Sequence, residues 1–201
     1  MYKIKKVEPV LNFSDLDLTK QYSYSDYMLW QFQDRVELIK GFISKKSPAP
    51  NRSHQTVSQN VNFRILSFFE KHPCKVYAAP FDVRLPIKSK EKDSTVVQPD
   101  LCIVCDESKL DEQGCNGAPD LIVEIISPNN KKHDLDTKFK LYEEAGVLEY
   151  WIIEPLEKMV LVYTLRDGIY IGLKPQIEGE IIESPLFPDL KVAVDDVFYR
   201  V

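Results

Sequence analysis

Long apolar runs are missing from this 201-residue chain. None approaches the roughly 20 residues that a membrane-crossing helix needs, so a helical membrane protein is excluded. The opening Met-Tyr-Lys-Ile-Lys-Lys is not followed by the apolar stretch of a secretory signal. The cysteines at 74, 102, 105 and 115 are therefore expected as reduced thiols in a cytoplasmic protein. An excess of positive charge is missing as well. A formal net charge of −5 argues against a surface given over to nucleic acid, although it leaves room for a local basic groove. Internal repeats, low-complexity segments, Pro/Gly-rich linkers and a separate DNA-reading module are absent too. What remains is 44% hydrophobic and 28% charged, the balance of a globular chain able to bury a sizeable core. It reads as an irregular arm at 1–20 followed by one domain over 21–201.

Periodicity supplies the elements. Residues 23–33 have the look of a short helix carrying Tyr27, Met28 and Trp30. Residues 36–43 alternate around Gly41 as a strand or hairpin arm would. A helix is expected from an N-cap at Ser53, its apolar positions Val57, Val61, Ile65, Phe68 and Phe69 following helical spacing until Pro73. Strands are expected near 76–85, 96–105 and 119–127, with a charged loop at 88–93. A helix over 134–145 should stop at Gly146, and a strand follows at 150–153. Asp167-Gly168 joins two further apolar runs with a strong hairpin signal. The order describes an α/β (α+β) domain, a mixed sheet flanked by helices with additional β-hairpins.

Two carboxylates interrupt apolar runs. Asp100 follows Pro99 within Val96-Val97-Gln98-Pro99-Asp100-Leu101-Cys102-Ile103-Val104, and Glu124 sits inside Leu121-Ile122-Val123-Glu124-Ile125-Ile126. A lone charge in such a setting costs several kcal/mol unless something pairs with it. Strand alternation places Glu124 on the face of Ile122 and Ile126. On the next helix, Leu135, Phe139 and Tyr142 form an inward stripe. Lys138 falls on that stripe while Lys140 turns away. Lys138 can reach the carboxylates, as a buried salt bridge or as a catalytic lysine; a surface i,i+4 pair with Asp134 is the competing account. His54, three before Val57, faces inward, either as a hydrogen-bonded core histidine or as part of a site. Two basic clusters, Lys40/Lys45/Lys46/Arg52 and Lys131/Lys132/His133/Lys138/Lys140, would ordinarily be solvated faces.

An ordered set of segments carries a family resemblance. It comprises Glu37-Leu38-Ile39-Lys40-Gly41, His54-Gln55, Ala79-Pro80-Phe81-Asp82-Val83-Arg84-Leu85 and Gln98-Pro99-Asp100. It continues through Ala118-Pro119-Asp120-Leu121-Ile122-Val123-Glu124-Ile125-Ile126-Ser127-Pro128, Asp134-Leu135-x-x-Lys138, Tyr142-x-x-Ala145-Gly146-Val147 and Glu149-Tyr150-Trp151. Over about residues 22–198 the chain resembles the Uma family of restriction-endonuclease-like proteins, within the PD-(D/E)xK nuclease superfamily.

The resemblance implies a core of helix, three antiparallel strands, helix and strand. It also implies Mg²⁺ or Mn²⁺ held by Asp100, Glu124 and the carbonyl of Ile125. The superfamily's lysine usually lies two after the acid, where this chain has Ile126, so Lys138 stands as a migrated lysine. Glu37 and His54 acquire site roles by the same likeness. The implied activity is metal-assisted hydrolysis of phosphodiester bonds by an endonuclease acting on DNA. The basic residues at 40–52 and 131–133 would neutralise flanking phosphates. A catalytically inactive nucleic-acid-binding or partner-binding protein on the same fold is the alternative. A zinc site at Cys102-x-x-Cys105 is disfavoured, because positions i and i+3 of a strand face opposite sides. Apolar hairpins near the C-terminus would suit a homodimer.

Overall fold

The computed structural model of the chain describes residues 8–45, 50–87, 94–127 and 131–201. Lys46, the loop at 88–93 and the first part of the arm lie outside the described residues. So do the side chains of Lys131, Lys132, His133 and Asp134. After a 3-10 turn at Phe13–Asp15 comes a one-turn helix α1 (Tyr24–Tyr27), shorter than the 23–33 expected. A reciprocal capping box between Ser23 and Asp26 starts it. Strands β1 (Val36–Ile39) and β2 (Phe42–Lys45) form a hairpin turning at Lys40-Gly41, both with positive φ. Helix α2 (Arg52–Phe69) follows. Its cap is Asn51 rather than Ser53: the Asn51 side-chain oxygen accepts the His54 N–H at 2.9 Å.

The expected strands at 76–85 and 96–105 each divide in two. The first gives β3 (Lys75–Ala78) and β4 (Val83–Arg84), the second β5 (Val96–Val97) and β6 (Leu101–Val104). Each break contains a proline, Pro80 or Pro99, which has no N–H with which to continue a ladder. The remaining elements are β7 (Leu110–Asp111), β8 (Gly114–Asn116), β9 (Leu121–Ile125), α3 (Lys131–Ala145), β10 (Glu149–Glu154), β11 (Met159–Arg166), β12 (Ile169–Gly172), β13 (Gln176–Ile177), β14 (Ile181–Glu183), β15 (Lys191–Ala193) and α4 (Val194–Val197). Helix α3 ends as expected. Gly146 takes φ +85, and its N–H and that of Val147 both return to the Tyr142 carbonyl.

Two sheets result. The larger runs β12-β11-β10-β9-β6-β3, with β13 also pairing β11; the smaller runs β2-β1-β5-β4-β8-β7; β14 and β15 form a separate pair. Within the larger sheet β3, β6 and β9 are antiparallel, and β10 returns parallel to β9 after α3. This is the helix, three strands, helix, strand order of a restriction-endonuclease-like core. The two halves of each divided strand join different sheets, so the chain crosses between sheets at Pro80 and again at Pro99.

Alternation sorts the core. Leu121, Val123 and Ile125 pack on the α2 side with Val57, Val61, Ile65 and Phe69. Ile122 and Ile126 pack on the other side with Leu141, Tyr142 and Val147 of the α3 region and with Val83 and Val97 of the smaller sheet. No helix among the described residues is long and apolar enough to cross a membrane.

The cysteine expectation is corrected. Cys74 and Cys105 form a disulfide, while Cys102 and Cys115 are free and buried. Cys74 directly precedes β3 and Cys105 directly follows β6. The Lys75↔Val104 pairing of those strands brings the two sulfurs together, a long-range adjacency that local spacing did not reveal. Cys102 lies on the opposite face, consistent with the divergence argued against a zinc site.

Two outcomes check this architecture. Ile65→Ala empties a wholly buried site and is expected to cost roughly 2–5 kcal/mol in urea denaturation. Phe63→Ala, on the exposed side of α2, should stay within about 0.5 kcal/mol. A thiol titration of denatured, non-reduced protein should find two reactive thiols per chain, rising to four after reduction.

Candidate active site

Five of the residues singled out from the sequence bring their side chains to one end of the larger sheet. Glu124 projects from β9 toward α3, where Lys138 points inward as its stripe position required. The Lys138 ammonium donates to Glu124 Oε1 at 2.7 Å and lies 3.4 Å from Glu37 Oε1. All three residues are buried. Burial opposes the lysine's charge, but the carboxylates of Glu124 and Glu37 outweigh it and hold the Lys138 pKa above its ordinary value. The cluster reaches across both sheets, because Glu37 belongs to β1. Its Oε1 also accepts the Gln98 backbone N–H at 2.8 Å, just before the break at Pro99.

Tyr142, one turn beyond Lys138, donates its hydroxyl to the same Glu124 oxygen at 2.6 Å. Burial first, and then the Glu124 charge, push the tyrosine well above its ordinary pKa, so the hydroxyl keeps its proton. Its place on the inward stripe by itself gives Tyr142 only a packing role. Its i+4 spacing from a buried lysine was the available signal.

Asp100 stands at the seam between the sheets, immediately before β6. Its Oδ2 accepts the Ile125 N–H at 2.8 Å and lies 3.4 Å from His54 Nε2. His54 enters from the first turn of α2, where the Asn51 cap fixes the backbone. Burial works against a charge on His54, but its bond to Asp100 and the charges of Asp100 and Glu124 prevail and raise its pKa. Burial likewise works against the Asp100 carboxylate, and the His54 interaction, the Ile125 N–H and Lys138 together draw its pKa below the usual value. His54 Nδ1 is buried without a hydrogen-bond partner. The imidazole thus fills a position surrounded by Asp100, the Ile125 backbone and the field of Glu124, a setting suited to a cation.

The basic clusters are less available than their spacing implied. Lys40 pairs with Glu144 and Lys45 with Asp34, each at 2.6 Å. Arg52 and Lys140 are exposed, as a solvated face requires. Glu149 is a buried carboxylate with a different environment. It receives the Trp151 indole N–H at 2.6 Å, the Leu186 N–H at 2.7 Å and the Ser184 hydroxyl at 3.0 Å. With no cation among these partners, burial prevails and its pKa is raised.

Comparison with known proteins bears on the family and the fold. A family model named Uma2, described as "putative restriction endonuclease", matches residues 24–195. Among solved structures the chain is similar to a protein from Anabaena variabilis described as "a putative nuclease belonging to DUF820". That likeness has a TM-score of 0.68 at 19% sequence identity, covering 88% of this chain and 97% of the other. It shows a shared fold. No curated protein matches the chain.

The buried cluster makes a quantitative prediction. Lys138→Met removes the ammonium from two buried carboxylates and is expected to destabilise the protein by about 3–5 kcal/mol. In a double-mutant cycle, Lys138→Met combined with Glu124→Gln should cost clearly less than the two separate losses added together. Additive losses in urea denaturation would show that the two groups are not coupled.

Proposed function

The chain belongs to the Uma2 family, and from that premise we propose that it is a divalent-metal-dependent endonuclease hydrolysing phosphodiester bonds of DNA. One observation carries the reading: Asp100, Glu124 and Lys138, distant in sequence and on different elements, converge where the two sheets meet. A structural salt bridge needs only the lysine and one carboxylate. It leaves unexplained a second acidic group placed against the Ile125 peptide and a histidine.

The residues fit Mg²⁺ or Mn²⁺. Asp100, Glu124 and the Ile125 carbonyl are hard oxygen donors, the kind these ions prefer. Among the described residues no three His, Cys, Asp or Glu side chains are grouped to hold a metal by themselves. A protein ligand set therefore draws on the backbone oxygen of Ile125. Asp100, Glu124 and the Ile125 carbonyl would hold the ion, with His54 Nε2 at 3.4 Å from Asp100 and its buried Nδ1 without a hydrogen-bond partner. Bound there, such an ion supplies Lewis-acid stabilisation of phosphate charge and acidifies water.

The chain's own groups have distinct parts in this proposal. Lys138 orients the attacking water or stabilises charge on the phosphate oxygens, since its ammonium stays protonated between two carboxylates. Glu37 is a positioning residue: it touches Lys138 and anchors the Gln98 N–H, fixing the lysine relative to Asp100. Tyr142 restrains Glu124 from the helix side. His54 holds Asp100 in the metal-free state. DNA as the polymer, a second copy of the chain and a cytoplasmic setting belong to the same proposal.

A second reading has its own observation. Glu124 is already neutralised by Lys138 and Asp100 is braced by His54, which is how a catalytically inactive nucleic-acid-binding or partner-binding relative would compensate its buried charges. Cleavage separates the two. Plasmid and single-stranded DNA incubated with Mg²⁺ or Mn²⁺ should be cut by the wild type and spared when a chelator is added. Glu124→Ala and Lys138→Ala should each lower the rate by about 10²-fold or more. Equal nicking by all three proteins, or by none, would sink the endonuclease reading and favour the binding protein.

A further inference from the structure

Beside the carboxylate site lies a second concavity that the reaction does not use. Its volume is about 430 Å³, within the range of small-ligand pockets. Tyr27, Trp30 and Phe32 form its aromatic wall, with Met28 and Arg35 alongside. The rings are mutually braced: Trp30 stacks on Phe32 at 5.7 Å between centroids and tilts against Tyr27 at 5.4 Å. A neighbouring concavity of about 350 Å³ is lined by His54 and Asp100, and it shares Arg35 and Pro80 with the aromatic one. The two spaces therefore adjoin, with a guanidinium at their common boundary.

The acidic neighbours of Arg35 have other partners. Asp34, also on the aromatic wall, is neutralised by Lys45 at 2.6 Å. Nearby Asp82 accepts from the Gln98 amide at 2.8 Å and from the Tyr27 hydroxyl at 3.3 Å. Arg35 itself forms no ion pair with a carboxylate among the described residues. An aromatic pocket with a cation at its mouth matches a flat heterocycle joined to a phosphate. A duplex offers its phosphates but keeps its bases stacked inside, whereas an unpaired nucleotide presents both groups.

We propose that the Tyr27/Trp30/Phe32 pocket is a subsite for one unpaired deoxynucleotide of the substrate strand, its base against the rings and its phosphate on Arg35. The subsite feeds the strand toward Asp100 and His54. Single-stranded DNA, or a duplex with a splayed or flapped end, is then the preferred substrate class. The link to cleavage rests on the endonuclease reading; binding in the pocket does not.

The test reads binding without chemistry. The chain has two tryptophans, and Trp151 is 1% exposed, so quenching of intrinsic fluorescence by added DNA reports on Trp30. In the presence of a chelator, a short oligothymidylate should quench the wild type, and a fully paired duplex of matching length should not. Trp30→Ala and Arg35→Ala should each weaken oligothymidylate binding, followed by anisotropy, by about tenfold, a typical loss for one base–aromatic contact. Trp30→Phe should hold affinity within about threefold, which separates a stacking role from a folding defect. Arg35→Ala should also lower the slope of log affinity against log salt by about 0.7, the signature of one lost phosphate contact on a single strand.

Equal affinity for duplex and single strand, or unchanged binding and salt slope in both alanine variants, would overturn the proposal. The two readings fail separately. Quenching that follows Trp30 and Arg35 in a protein that cuts no DNA keeps the subsite and removes the endonuclease. Cleavage that depends on Glu124, with single-strand binding indifferent to Trp30 and Arg35, does the reverse.

Discussion

The buried ammonium of Lys138 is the interaction on which the arrangement depends. It lies 14 residues from Glu124 and 101 from Glu37 along the chain, so its two ion pairs join α3, β9 and β1 in one contact. Removing such charges from water costs several kcal/mol per ion, and only close pairing with further hydrogen bonds recovers it. Here the recovery comes from Tyr142 on Glu124 and from the Gln98 N–H on Glu37. Hydrophobic residues of similar volume would fill the same space with no desolvation penalty. The buried charged cluster is therefore a weak source of stability for its size.

Proline placement supplies the second constraint. A strand through residues 96–105 without a break would place Asp100 within a continuous ladder. Pro99 interrupts it, so β5 joins the smaller sheet and β6 the larger, leaving Asp100 at the crossing. The same crossing brings the Gln98 N–H to Glu37 and the Asp100 carboxylate to the Ile125 N–H. One break in a strand thus orders both halves of the site. The break around Pro80 works in parallel, and that residue lines both concavities beside Asp100.

The smaller sheet and the segment before it differ in character from the larger core. The larger sheet is buried on both faces, by α2 and by α3 with the smaller sheet. The segment around α1 contributes half-buried aromatic rings that brace one another and leave an open wall. Rigid rings at a surface lose little conformational freedom when they bind a flat ligand. A strongly packed core thus lies beside a partly open aromatic edge.

Local physics made much of this legible in the sequence. Spacing alone set the buried stripe of α2, the inward side of His54, the face of Glu124 and the direction of Lys138, because helical and strand periods fix which residues share a side. Asp167-Gly168 marked its hairpin and Gly146 its helix end through their positive φ. Tertiary structure decided the rest. Which oxygen Tyr142 would bind, that Glu37 would cross from the other sheet to Lys138, and that Cys74 would meet Cys105 all depend on how separate strands pair. No local period encodes that pairing. The two basic clusters show the limit from the other side: composition revealed the lysines, but only the fold showed that Lys40 and Lys45 face carboxylates while Arg35 stands between two cavities.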